Sequence, residues 1–399
     1  MLHALPVSVE SFYSPGDIIL SSSLVPKHCP WMNSTPVYRV KWPKISSRGL
    51  MVLCRISLAF GLRGSSLNFG FSASCVPIIS IIGLMQLLLP LAFKELTLDL
   101  PPDGKMKYSF PCELFFDEKG CSIQSLCLSA CAFSPEHGSS CFRSLKRVNF
   151  SRVDITTEDS WLFLFNSLAL EHLELEYCHG IAYLRIPCTL QLLSSLQVRR
   201  CNMLQAIESD APNLATFQYQ GPIIQFSLGD ALQLKDINIS IYPWFNLFNY
   251  ARKELPALAP NLETLFLMSA DEVGCFYPFT IVPHEKSIPL KHLEIAIVGP
   301  RTENGYHFEF FSLVTFLNTS PELETFILHV EESAVQKSHL VIDPSKLVKL
   351  PKHCHQNIKH VKITGFCPIK ELLELTFYIL EDAASLRWLT LDCRIHGFE

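Results

Sequence analysis

The chain carries none of the short signatures on which common catalytic chemistries depend. It has no GxSxG, no GxGxxG followed by an acidic residue, no phosphate loop of the GxxxxGKS or GxxxxGKT type and no HExxH. Nucleophilic, dinucleotide, phosphate-binding and zinc-hydrolase readings lack their minimum parts, so the chain reads as a non-enzyme that uses no cofactor. Charge is scarce too, at 18% of 399 residues, with a net charge of −5. Residues 1–63 hold seven Lys or Arg against two Asp or Glu, which leaves 26 against 36 for the rest. An acidic body argues against nucleic acid as a partner, because that binding rests on neutralising phosphates.

Fifteen cysteines are present without one CxxC pair. Disulfide frameworks belong to short secreted chains, so reduced, buried thiols of the cytoplasm or nucleus are expected. Met1–Pro6 lacks the basic start of a signal peptide and no apolar core follows it, so the sequons at Asn33, Asn149, Asn238 and Asn318 are expected to go unused. The one metal-like cluster is His353, Cys354 and His355 with His360. Adjacent ligands do not match a paired zinc spacing. A basic, solvated turn before a strand at Val361 is the simpler expectation.

What the chain does have is repetition. The pattern LxxLxL is clearest at Leu170, Leu173 and Leu175 and returns about a dozen times. Its paired positions are 96 and 98, 126 and 128, 148 and 150, 173 and 175, 196 and 198, 217 and 219, then 237 and 239, 265 and 267, 293 and 295, 326 and 328, 361 and 363, and 389 and 391. Alternation within each copy fits a short strand whose every second side chain enters a core. A unit of this length cannot cover its own apolar face, so copies must stack. The expected fold is an α/β leucine-rich-repeat solenoid of about twelve repeats, with a curved parallel sheet on the concave face and helices and turns on the convex face.

The returns between strands carry weaker signals. Cys131, Cys178 and Cys201 fall where the chain must leave a strand. Thr156 and Thr157 followed by Glu158 and Asp159 mark a helix start. Apolar spacing over Phe311–Leu317 and over Leu372–Ala383 marks two more helices.

Three segments are expected. Residues 1–63, rich in Ser and Pro and without a period, read as irregular, partly disordered or a degenerate F-box remnant. Residues 64–93 form an uncharged apolar segment. A membrane span needs about 20 apolar residues, and Cys75–Phe93 is nineteen, interrupted by Pro77, Gln86 and Pro90. A buried helix that caps the first repeat is the preferred reading over a membrane span or an aberrant, non-native stretch. Residues 94–399 form the repeat domain.

The repeats carry a more specific pattern. Lys107–Cys112, Ser167–Leu173, Ile186–Gln191, Ala211–Leu214, Pro260–Leu265, Phe311–Leu317, Val361–Phe366 and Glu374–Leu380, in that order, span about three quarters of the chain. The order resembles the leucine-rich-repeat region of plant F-box proteins, in particular the group related to the Arabidopsis meiotic F-box protein. The resemblance implies a substrate-binding surface joined to an F-box that docks a Skp-type adaptor of a ubiquitin ligase. Leu5, Pro6, Asp17 and Trp31 echo that box, but Pro15, Pro26 and Pro30 interrupt the helices it would need. The F-box is therefore read as missing or degenerate, and adaptor contact stays open. A repeat scaffold or competitor without ligase contact, and the product of a truncated gene, are the alternatives.

Residues flanking the inward pairs must point to the concave face. The expected partner-binding set is His172, Glu174, Glu176, Arg199, Phe266, Met268, His292, Glu294, Ile327, His329, Lys362 and Trp388. Within it, Phe266, Met268, Ile327 and Trp388 are expected to form an apolar contact patch, unless adjoining loops cover them.

Overall fold

The computed structural model describes residues 17–19, 39–41, 58–63, 66–71, 94–100, 108–112, 123–135, 140–229, 231–242, 247–270, 287–298, 310–331 and 354–394. They fall into two compact units, residues 1–181 and 182–399.

In the first unit, β1 (Asp17–Ile19) and β2 (Arg39–Lys41) pair antiparallel. A hairpin of β3 (Leu58–Arg63) and β4 (Ser66–Phe71) then leads into a parallel ladder of β5 (Glu95–Asp99), β6 (Ser125–Ser129), β7 (Arg147–Ser151) and β8 (His172–Glu176). Strand β4 pairs with β5 so that Leu67 faces Leu96 and Phe69 faces Leu98. The parallel ladder therefore begins one strand earlier than the first LxxLxL copy. The capping helix expected within 75–93 lies outside the described residues. Among the described residues, no helix is long and apolar enough to cross a membrane.

One step past each of β6, β7 and β8 the backbone enters the left-handed region, at Ala130, Arg152 and Tyr177 with φ of 54°, 53° and 51°. That conformation is uncommon for residues other than glycine. It turns the next residue, Cys131, Val153 or Cys178, into the core. The Cys178 thiol donates to the Phe150 carbonyl at 3.4 Å, which ties one coil to its predecessor. A second row of parallel bridges follows through Ser109, Ala132, Asp154 and His179. Helix α1 (Thr157–Asn166) starts where expected, with Thr156 Oγ1 accepting from the Asp159 amide at 3.0 Å. Its Phe163 enters an aromatic cluster centred on Phe133, whose ring lies 4.9 Å from Phe150, 5.3 Å from Phe163 and 5.8 Å from Phe142.

The second unit runs β9 (Tyr183–Ile186), β10 (Ser195–Arg199), β11 (Ala206–Ser209), β12 (Thr216–Gly221), β13 (Gln225–Ser227), β14 (Asp236–Ile241), α2 (Leu247–Leu258) and β15 (Thr264–Ala270). It continues with β16 (His292–Val298), α3 (Phe311–Thr319), β17 (Thr325–Val330), β18 (His360–Thr364), α4 (Lys370–Asp382) and β19 (Trp388–Asp392). The parallel order β10, β12, β14, β15, β16, β17, β18, β19 makes the main sheet, and β9, β11 and β13 make a second parallel sheet.

That second sheet differs from the expected helices and turns on the return side. Leu184 and Ile186 are buried between exposed Tyr183 and Arg185, which is strand alternation. A strand covers about 3.3 Å per residue where a helix covers about 1.5 Å, so a short coil closes its return with extended chain. Later coils are longer and close with α2, α3 and α4.

The parity of the repeats holds through both units. In eleven of the twelve copies both inward side chains are at most 4% exposed. The histidine cluster is where the reading fails. His355 is buried, not in a solvated turn: its Nε2 donates to Tyr378 Oη at 2.9 Å, and Tyr378 donates to Asn318 Oδ1 at 2.7 Å. Burial pushes the Tyr378 hydroxyl upward, helped by Asp382 and opposed by Asn318. Cys354 is exposed, and His353 lies outside the described residues.

Candidate partner-binding surface

In-register parallel pairing sorts the side chains opposite the core into rows that cross the strands. In the second unit the middle row reads Asn238, Phe266, Glu294, Ile327, Lys362 on β14 to β18. The row beside it reads Ser240, Met268, Ala296, His329, Thr364. Phe266, Met268, Glu294 and Ile327 are half-buried and Lys362 is exposed, whereas Ser240, Ala296 and Thr364 in the neighbouring row are buried.

A polar chain runs through the rows. His329 Nε2 lies 2.8 Å from Glu294 Oε1, and His329 Nδ1 lies 2.7 Å from Thr364 Oγ1. His292 Nε2 stands 3.7 Å from the other Glu294 oxygen, an ion pair when that imidazole is protonated. The imidazoles of His292 and His329 hold the Glu294 carboxyl down to about 2, against the desolvation that would raise it. Glu294 is therefore ionised and fixed between Phe266 on one strand and Ile327 on the next.

The expected residues divide into groups. Phe266, Met268, His292, Glu294, Ile327, His329 and Lys362 come together on β15 to β18. Trp388 does not join them. It sits on β19 opposite His360 in the first row, four strands from Phe266, or about 19 Å at the usual strand spacing. Arg199 lies three strands away on β10. His172, Glu174 and Glu176 lie on β8 of the first unit, where Asn149 Nδ2 donates to Glu174 Oε2 at 2.7 Å. Thr364, which is buried, and half-buried Asp236 belong to the same rows as the expected set. Burial pushes the Asp236 carboxyl up while His292 opposes the shift.

The whole stack answers to a known family. The family model described as At1g61320/AtMIF1, LRR domain, matches residues 59–398. The chain belongs to this leucine-rich-repeat family. Comparison with curated proteins and with solved structures finds no match. Within the AtMIF1 repeat domain the matched span opens inside β3, so the family pattern includes the N-terminal hairpin. In this AtMIF1-type domain the open face of β15 to β18 is an assembled row of alternating apolar and ionised groups.

Proposed function

We propose that this chain binds a protein partner on the open face of β14 to β18, as the substrate-recognition part of an F-box type ubiquitin ligase receptor. The observation that carries the reading is Glu294, ionised and fixed by two histidines between half-exposed Phe266 and Ile327. Side chains locked before binding lose little freedom on binding, and an apolar contact beside a fixed acceptor selects register as well as affinity. The partner that fits places an apolar side chain over Phe266 or Ile327 and a hydrogen-bond donor at Glu294. His172, Glu174 and Glu176, Arg199 and Trp388 serve as outlying contacts. Buried Cys131, Cys178 and Cys201 support a reducing cytoplasm or nucleus as the setting.

The test is paired. Partners are trapped by proximity labelling in plant tissue with the full chain and with a double variant, Phe266→Ala with Ile327→Ala. Loss of a labelled partner from the folded double variant is the expected result, and an unchanged partner set overturns the reading.

A second reading is favoured by one observation in the sequence: Pro15, Pro26 and Pro30 interrupt the helices an F-box would need. On that reading the chain is a repeat scaffold, or a competitor of longer relatives, with no ligase contact. Co-purification of a Skp-type adaptor with the full chain separates the two.

A further inference from the structure

The last coil departs from the rule that all the others obey. Its inward pair is open: Leu389 is only half-buried and Leu391 is 41% exposed. The same coil exposes Phe377, Leu380 and Trp388, the last at 67%. Strand β19 pairs with β18 on one side, and no described strand lies on the other. Such an edge offers a row of backbone donors and acceptors to another strand, and proteins usually blunt it with lysine, proline or a bulge. The sequence of β19, Trp-Leu-Thr-Leu-Asp, has none of these.

We propose that two copies of this chain pair through β19, edge to edge and antiparallel about Thr390. The argument for a second copy is that β19 matches itself. With Thr390 opposite Thr390, Leu389 of one copy faces Leu391 of the other, and this happens twice. Inward leucine meets inward leucine, so the half-open floor of each last coil covers that of its mate. Trp388 faces Asp392 of the second copy on the outward side, an indole N–H donor opposite a carboxylate that Arg394 of its own chain already anchors at 3.1 and 3.2 Å. A two-fold axis through Thr390, perpendicular to the sheet, requires this parity, and isologous interfaces need such self-complementarity. The open faces of the two sheets then continue into each other on one side.

The full chain is measured by light scattering after size exclusion at tens of micromolar. The expected mass is twice the 45.2 kDa of one chain. Leu391→Lys, a charge on an already exposed position, is expected to give a monomer with unchanged circular dichroism. Thr390→Cys reports register, since opposed residues have Cβ atoms about 4.5–5.5 Å apart. Mild oxidation is expected to cross-link it into dimers that unmodified chain and Trp388→Cys do not form. A monomeric unmodified chain, a dimer that survives Leu391→Lys, or no extra cross-linking by Thr390→Cys each overturns the proposal.

Discussion

His329 bridges Glu294 and Thr364, with one ring nitrogen 2.8 Å from the carboxylate and the other 2.7 Å from the hydroxyl. Three neighbouring strands are thereby tied on the open face by side chains drawn from 71 residues of sequence.

That bridge gives a pH dependence with a definite sign. The Glu294 carboxyl is held at about 2 in the folded chain, against an ordinary 4.5. A lowered folded pKa means that stabilisation is full above the unfolded value and disappears as pH falls from about 4.5 toward about 2. Urea midpoints measured between pH 6 and pH 2.5 are expected to fall, and Glu294→Gln is expected to fall less steeply. Parallel curves for the two chains would contradict the coupling.

Parity makes neighbouring positions on β8 behave differently. Leu173 is buried and Glu174 half-buried. Burying a leucine is worth about 1.5–3 kcal/mol, and an unpaired buried charge costs several more. Leu173→Lys is expected to abolish the cooperative thermal transition. Glu174→Lys, which gives up the Asn149 bond at a half-buried position, is expected to stay folded. Circular dichroism melts of both decide it.

Phe133 touches four other phenylalanines within 5.9 Å. Truncation to alanine removes a central ring that its neighbours cannot replace, at a cost of about 3–5 kcal/mol. Chemical denaturation of Phe133→Ala measures this.

Tyr378→Phe removes the hydroxyl shared by His355 and Asn318. With both partners left short of a bond, the cost is about 1–3 kcal/mol. Denaturant midpoints check the value, and His355→Ala should lower the stability through the same network.

Gly365 follows β18 with a φ of 68°, and a Cβ there would meet the Val330 carbonyl oxygen. Gly365→Ala is expected to destabilise by more than about 1 kcal/mol. The same measurement on Ala130→Gly is expected to show no loss, because Ala130 holds a left-handed φ of 54° that glycine adopts without the Cβ strain.

The repeats were legible because alternation is a local property: Leu173 and Leu175 announce their side of a strand without reference to any neighbour. Helix α1 was legible for the same reason, through Thr156 and the acidic first turn. Helix α2 had a usable signal in Leu247, Ala251, Leu255 and Ala259, spaced by four, partly hidden by Pro256 near its end. The return strands β9, β11 and β13 carry only three or four residues each, too few for a period to stand out. Most of all, the Glu294 to His329 contact depends on register between strands 35 residues apart, which no single segment encodes. Likewise, only the strand order shows Trp388 to stand four strands from Phe266.

The left-handed step after the strand has a consequence for how such a chain can vary. It occupies one fixed place, directly past the strand, at Ala130, Arg152, Tyr177, Arg200 and Gly365. In these five coils the strand has five residues and the corner follows at once, so strand and corner form a unit of constant length and the freedom lies in the stretch that travels back. Insertions there lengthen a loop or helix without shifting any row of the sheet, whereas a single residue added before the corner would turn that strand's binding face into its core.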